Sequence, residues 1–62
     1  MTEAAVLVDR LAERLATARW QMHRQPTEAH RAAMLRLERL HRRAYRRLQR
    51  RWISVFEEEA TP

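Results

Sequence analysis

The sequence predicts an all-α chain, a two-helix antiparallel hairpin that is expected to pair with a second copy as a four-helix bundle. Three observations lead there. Apolar residues recur at spacings of three and four, with no glycine and no strand-like alternation anywhere. One interior breaker, Gln25-Pro26-Thr27, divides the chain. The segments on its two sides differ in length, so one helix must outrun the other. At 62 residues, with 45% apolar side chains, this is one small domain spanning residues 1–62. Chains so short usually need a disulfide, a metal or a partner subunit for stability, and without cysteine the disulfide is excluded.

The first helix is expected from about Glu3 to Arg24. Thr2 can cap it and Glu3 suits the positive end of its dipole. Ala4, Val8, Leu11, Leu15, Ala18 and Met22 follow one another at alternating intervals of four and three, a heptad seam of the coiled-coil kind. The alanines in that seam permit close approach of a second helix.

Pro26 cannot donate to a helical ladder and pushes Gln25 out of the helical region, so residues 25–27 form the turn. Thr27 then caps a second helix that runs from about Glu28 to Glu58. Its apolar stripe comprises Ala33, Leu37, Leu40, Ala44, Leu48, Trp52 and Val55, widened on one side by Met34, His41, Tyr45 and Phe56. Continuing the first heptad through Pro26 would place Arg36, Arg39, Arg43, Arg46 and Arg50 in the seam, which argues against one long supercoiled helix. A straight kinked helix would keep its faces in phase, but the capped break favours a hairpin with a short connection.

At ~1.5 Å per residue the two helices are about 33 Å and about 46 Å long. Folding back from Pro26 brings Glu3 level with roughly Gln49, so Trp52, Ile53, Val55 and Phe56 extend beyond their intramolecular cover. Large apolar groups left in water forgo on the order of 1.5–3 kcal/mol each. A second copy is the expected cover, with Leu48, Trp52, Ile53, Val55 and Phe56 as the self-association residues of a homodimer.

Charge is the other strong signal. All thirteen basic residues are arginine, against eight acids, for a net charge of +5. From Arg36 to Arg51 there are eight arginines and one acid, Glu38. Arg39, Arg43, Arg47 and Arg51 stand four apart, as do Arg42, Arg46 and Arg50, and such like-charge neighbours oppose helix formation by a few tenths of a kcal/mol each. The plainest account is a solvated face, its arginine stems lying over apolar surface, in a sequence whose arginine and alanine bias suits a GC-rich bacterial or phage genome. The functional account is a docking face for an anionic partner.

Arginine, tryptophan and tyrosine are the residue types enriched at binding hot spots. An acidic protein is therefore the favoured partner, engaged by Arg39, Arg43, Arg46, Arg47 and Arg50 with Trp20 as an exposed apolar anchor. Nucleic acid is the second candidate, since these arginines span several helical turns and can track a phosphate backbone. Over about sixteen residues this arginine-rich stretch with its following tryptophan resembles, in composition, the RNA-binding segments of phage antiterminators. The resemblance implies RNA contact through the same arginines. The Glu57-Glu58-Glu59 run, which would repel phosphate, weighs the other way.

Other classes find little footing. Met1-Thr2-Glu3 begins no signal peptide, and no segment reaches the ~18 apolar residues of a bilayer span; a soluble, cytoplasmic protein is expected. A basic amphipathic helix can lie on anionic lipid, but the first helix already claims much of the stripe. Glu38 and His41 have the Glu-x-x-His spacing of di-iron bundles, yet the acids of the first helix, Asp9 and Glu13, lie off its seam and arginines surround the pair. Ser54 is the only serine and no nucleophile–base pattern or phosphate loop occurs. Neither cofactor, small-molecule substrate nor enzymatic activity is expected.

Overall fold

The computed structural model describes residues 2–60, with side chains described as far as Glu58. It contains two helices, α1 (Glu3–Arg24, 22 residues) and α2 (Glu28–Ala60, 33 residues), packed against each other as a hairpin. Among the described residues there is no strand.

Both helix starts are built by threonines. The Thr2 side chain accepts a hydrogen bond from the Ala5 N–H at 3.3 Å, and its backbone is extended, which ends the helix there. Thr27 repeats the device: its hydroxyl accepts from the His30 N–H at 3.2 Å and its carbonyl accepts from the Arg31 N–H at 3.0 Å. Each cap satisfies a donor that the first turn of a helix leaves without an intrahelical partner.

The connection between them is closed by one carbonyl. Gln25 leaves the helical region (φ −135°, ψ 89°), as a residue preceding proline must, while its N–H still donates to the Gln21 carbonyl at 2.8 Å. The Gln25 carbonyl then accepts twice, from the Thr27 N–H at 2.8 Å and from His30 Nδ1–H at 2.7 Å. His30 thus ties the first turn of α2 to the end of α1.

The core is thin and lies along the contact between the helices. Among the described residues, Val8, Leu15 and Ala18 are the buried residues of α1, and Ala44 and Leu48 those of α2. Val8, Ala44 and Leu48 form one cluster, flanked by Ala4, Ala5 and Leu11, near the open end of the hairpin. The predicted seam of α1 is present throughout, since Ala4, Leu11 and Met22 are half-buried. The stripe of α2 is turned from its predicted centre: Ala33 and Leu40 are exposed, whereas Met34, Leu37 and His41 are half-buried. The apolar arc of α2 is broader than one small helix can cover, and α1 lies toward its Met34 edge.

Past Leu48 the cover ends. Trp52 is 53% exposed, Ile53 58%, Val55 47% and Phe56 73%. A helix of 33 residues is about 50 Å long, and the 22 of α1 reach only about 33 Å. The predicted length mismatch is therefore present, and α2 continues two residues beyond the expected Glu58. In sequence, Pro62 follows two residues later, a residue that cannot continue a helix. The molecule measures 55 × 18 × 14 Å along its principal axes. Among the described residues, no helix is long and apolar enough to cross a membrane.

Candidate interaction surface

Because α1 packs on the Met34–Leu48 side of α2, the arginines of α2 are turned outward. Spacings of three and four place Arg39, Arg42, Arg43, Arg46, Arg47 and Arg50 on adjoining turns of one helical face. These six line an open concavity of about 410 Å³. All are exposed, and none is paired with an acid among the described residues. The one acid within the run, Glu38, turns toward α1, where its carboxylate lies 3.7 Å from the Arg19 guanidinium. The ridge is therefore a band of positive charge uninterrupted by acids.

Arg42 belongs to this ridge as fully as the five arginines singled out in the sequence. The signal for it was its three- and four-residue spacing from Arg39 and Arg46. Arg51, one residue beyond Arg50, does not line the concavity; it stands between the ridge and the apolar stripe. Arg43 and Arg47 have a second role. With Ala4, Leu7, Leu11, Leu40 and Ala44 they line an apolar groove of about 390 Å³ between the two helices. These two side chains thus border both an anion-attracting ridge and an apolar floor, an amphipathic use of long stems.

Trp20 is not part of that surface. It lies on α1, 58% exposed, close to the turn and on the other helix from the ridge. The Arg24 guanidinium carbon sits 4.8 Å from the centroid of its ring, a cation–π contact one helical turn along. Trp20, Gln21, Arg24, Gln25 and His30 together border a shallow depression of about 290 Å³. The arrangement separates two features that the sequence reading joins, the arginine ridge on α2 and Trp20, which stands with Arg24 at the turn.

The self-association residues divide as well. Leu48 is taken up by the hairpin core, and Trp52, Ile53, Val55 and Phe56 form the uncovered end that follows it. This apolar end adjoins Arg50 and Arg51 directly. Arginine ridge and apolar end thus succeed one another along the distal half of α2.

The Glu38–His41 pair has other neighbours than a metal. Glu38 faces Arg19, and the His41 ring stacks on Tyr45 with centroids 6.2 Å apart. No group of three histidines or acids able to hold a metal ion occurs among the described residues.

The class of molecule that emerges is a short helical hairpin with a charged outer ridge and an uncovered apolar end. No protein-family model matches the chain, and neither the curated proteins nor the solved structures compared with it give a match.

Proposed function

We propose that this chain is a non-enzymatic interaction protein that self-associates and docks on an acidic protein partner, as an adaptor, chaperone or inhibitor does. The supporting observation is the adjacency, on one helix, of an acid-free arginine ridge and an apolar end that α1 leaves uncovered. Exposed apolar surface rimmed by charge is characteristic of binding faces. In this reading two hairpins contribute four helices to a bundle, with Trp52, Ile53, Val55 and Phe56 buried between copies. Arg39, Arg43, Arg46, Arg47 and Arg50 then remain free to meet carboxylates, and Trp20 supplies a separate apolar contact.

A second reading rests on the concavity itself. Six arginines without an acid among them suit phosphates as well as carboxylates, and the alternative is a dimer that grips an RNA or DNA backbone.

Salt titration against duplex oligonucleotides separates the two. Neutralising about four phosphates gives a log–log slope near −3.6, from roughly −0.9 per phosphate. Absence of binding at low salt eliminates the nucleic-acid reading. The protein-docking reading requires a discrete protein captured from the native host. That capture must survive nuclease treatment and be lost when Arg43 and Arg47 are both replaced by alanine; capture that vanishes with nuclease, or that ignores these substitutions, rejects it.

A further inference from the structure

The order of residue types in the uncovered end specifies not only that a second copy can cover it but how that copy is oriented. Arg50 and Arg51 come first, then the apolar residues Trp52, Ile53, Val55 and Phe56, then Glu57 and Glu58. The series is positive, apolar, negative, with Ser54 at its centre. Laid against itself head to tail, it sets arginine opposite glutamate at both ends and apolar opposite apolar between them. Laid against itself in parallel, it sets arginine on arginine and glutamate on glutamate.

Side-chain placement on the helix agrees with the antiparallel choice. Arg51 and Glu58 are seven residues apart, two turns of helix, and so stand on the same flank of α2. Two helices related by an antiparallel two-fold axis bring like flanks together. Arg51 of one copy then faces Glu58 of the other, and symmetry makes the contact twice. Both side chains are exposed, and Arg51 has no acidic partner among the described residues of its own chain.

The hairpin leaves room for such a joint. The extended backbone at Thr2 ends α1 near the level at which the apolar end of α2 begins, so the lane that α1 would occupy beside Trp52 and Phe56 is open. The end of a second α2 fits that lane, and each copy fills the step left by the other's shorter helix.

We infer that two copies join by their α2 ends in antiparallel fashion, with Trp52, Val55 and Phe56 between the two helices and reciprocal Arg51–Glu58 pairs along one flank. The inference rests on the self-association proposed above, gives it an orientation and an extent, and puts an end-to-end overlap of the two α2 helices in place of the four-helix bundle. It makes the dimer a lap joint of two hairpins rather than a bundle overlapping along its full length, and leaves both arginine ridges on one extended particle.

Sedimentation and small-angle X-ray scattering of the full chain test it, together with three charge variants. The dimer is expected to reach a maximum dimension of about 90 Å, given ~18 Å of overlap at ~1.5 Å per residue. Arg51→Glu alone and Glu58→Arg alone each place like charges in contact twice, and each is expected to raise the dimer dissociation constant at least about tenfold. The double swap Arg51→Glu/Glu58→Arg restores opposite charges across the joint and is expected to return association to within about threefold of the parent. Circular dichroism of each variant establishes that the helices persist.

A dimer whose maximum dimension stays near the 55 Å of one hairpin overturns the joint while leaving self-association intact. A double swap that fails to restore association overturns the Arg51–Glu58 pairing. A chain that stays monomeric at every accessible concentration overturns the joint and the self-association reading together.

Discussion

Two halves of α2 carry similar apolar side chains but meet different fates. Between Met34 and Leu48 the stripe rests on α1, and Leu48 retains only 4% of its exposure. From Trp52 to Phe56 the same kind of stripe faces water, although its residues are larger. Size alone would favour burial of the distal half; what separates the two is whether a second helix runs alongside. The proximal half is stabilised within one chain, by burial worth roughly 1.5–3 kcal/mol for each large side chain fully removed from water. The distal half can gain the same stabilisation only from another molecule.

The sharpest way to break this comparison is Trp52→Ala. When a second copy buries that residue, truncation is expected to cost ~3–5 kcal/mol, the range for a buried large aromatic. Urea unfolding at a high and a very low protein concentration reads the effect, which should be large in the first and small in the second. A loss independent of concentration would place Trp52 in the hairpin's own core and dissolve the contrast.

Leu48→Ala sharpens the comparison from the other side. The residue belongs to the intramolecular cluster with Val8 and Ala44, so a loss of ~2–5 kcal/mol is expected, part of it from the cavity left behind. This loss should persist on dilution.

A smaller effect is expected at the boundary of α2. Thr27→Ala removes the acceptor for the His30 N–H and should lower stability by about 1 kcal/mol, whereas Thr27→Ser should leave it nearly unchanged. Thermal unfolding followed by circular dichroism distinguishes the two. The smallest effect belongs to Glu38→Gln. Its contact with Arg19 is 3.7 Å long and Arg19 is largely exposed, so the expected change is below about 1 kcal/mol and fades as salt is added. A larger loss would mean that Glu38 restrains the hairpin more than an exposed ion pair can.

Much of this contrast was legible in the residues themselves. Thr2, Pro26 and Thr27 mark three of the four helix ends, because capping hydroxyls and a missing N–H act locally and leave little choice to the chain. The seam of α1 was equally plain, since its apolar arc is narrow. The distal end of α2 was less so: Pro62 bars the helix from running past Thr61, but within that bound Glu58 and Ala60 are both acceptable places for it to finish. The phase of α2 was also hidden. Its apolar arc runs from Leu40 round to Tyr45, wider than α1 can shelter, so periodicity alone does not say that Met34 and His41 turn inward while Ala33 and Leu40 turn out.

The candidate surface divides in the same manner. The arginine ridge could be traced from spacings of three and four, because residues on one helix keep their angular relations whatever surrounds them. The position of Trp20 could not be related to that ridge in advance, since the two lie on different helices and their separation depends on how those helices pack. The preference of Glu38 for Arg19 over its neighbouring arginines is likewise a contact between helices.

By itself, then, the sequence determined the helices, where they begin, the break between them, and the angular positions of arginines and apolar residues along each. These follow from local forces: backbone sterics at proline, hydrogen bonds at caps, and a constant advance of ~100° per residue. The tertiary structure decided which part of a broad apolar arc lies beneath α1, which arginine meets Glu38, and that Trp20 stands apart from the ridge. Those outcomes depend on the rotation and register of one helix against the other, and that packing is set by the summed fit of many weak contacts, which no single residue announces.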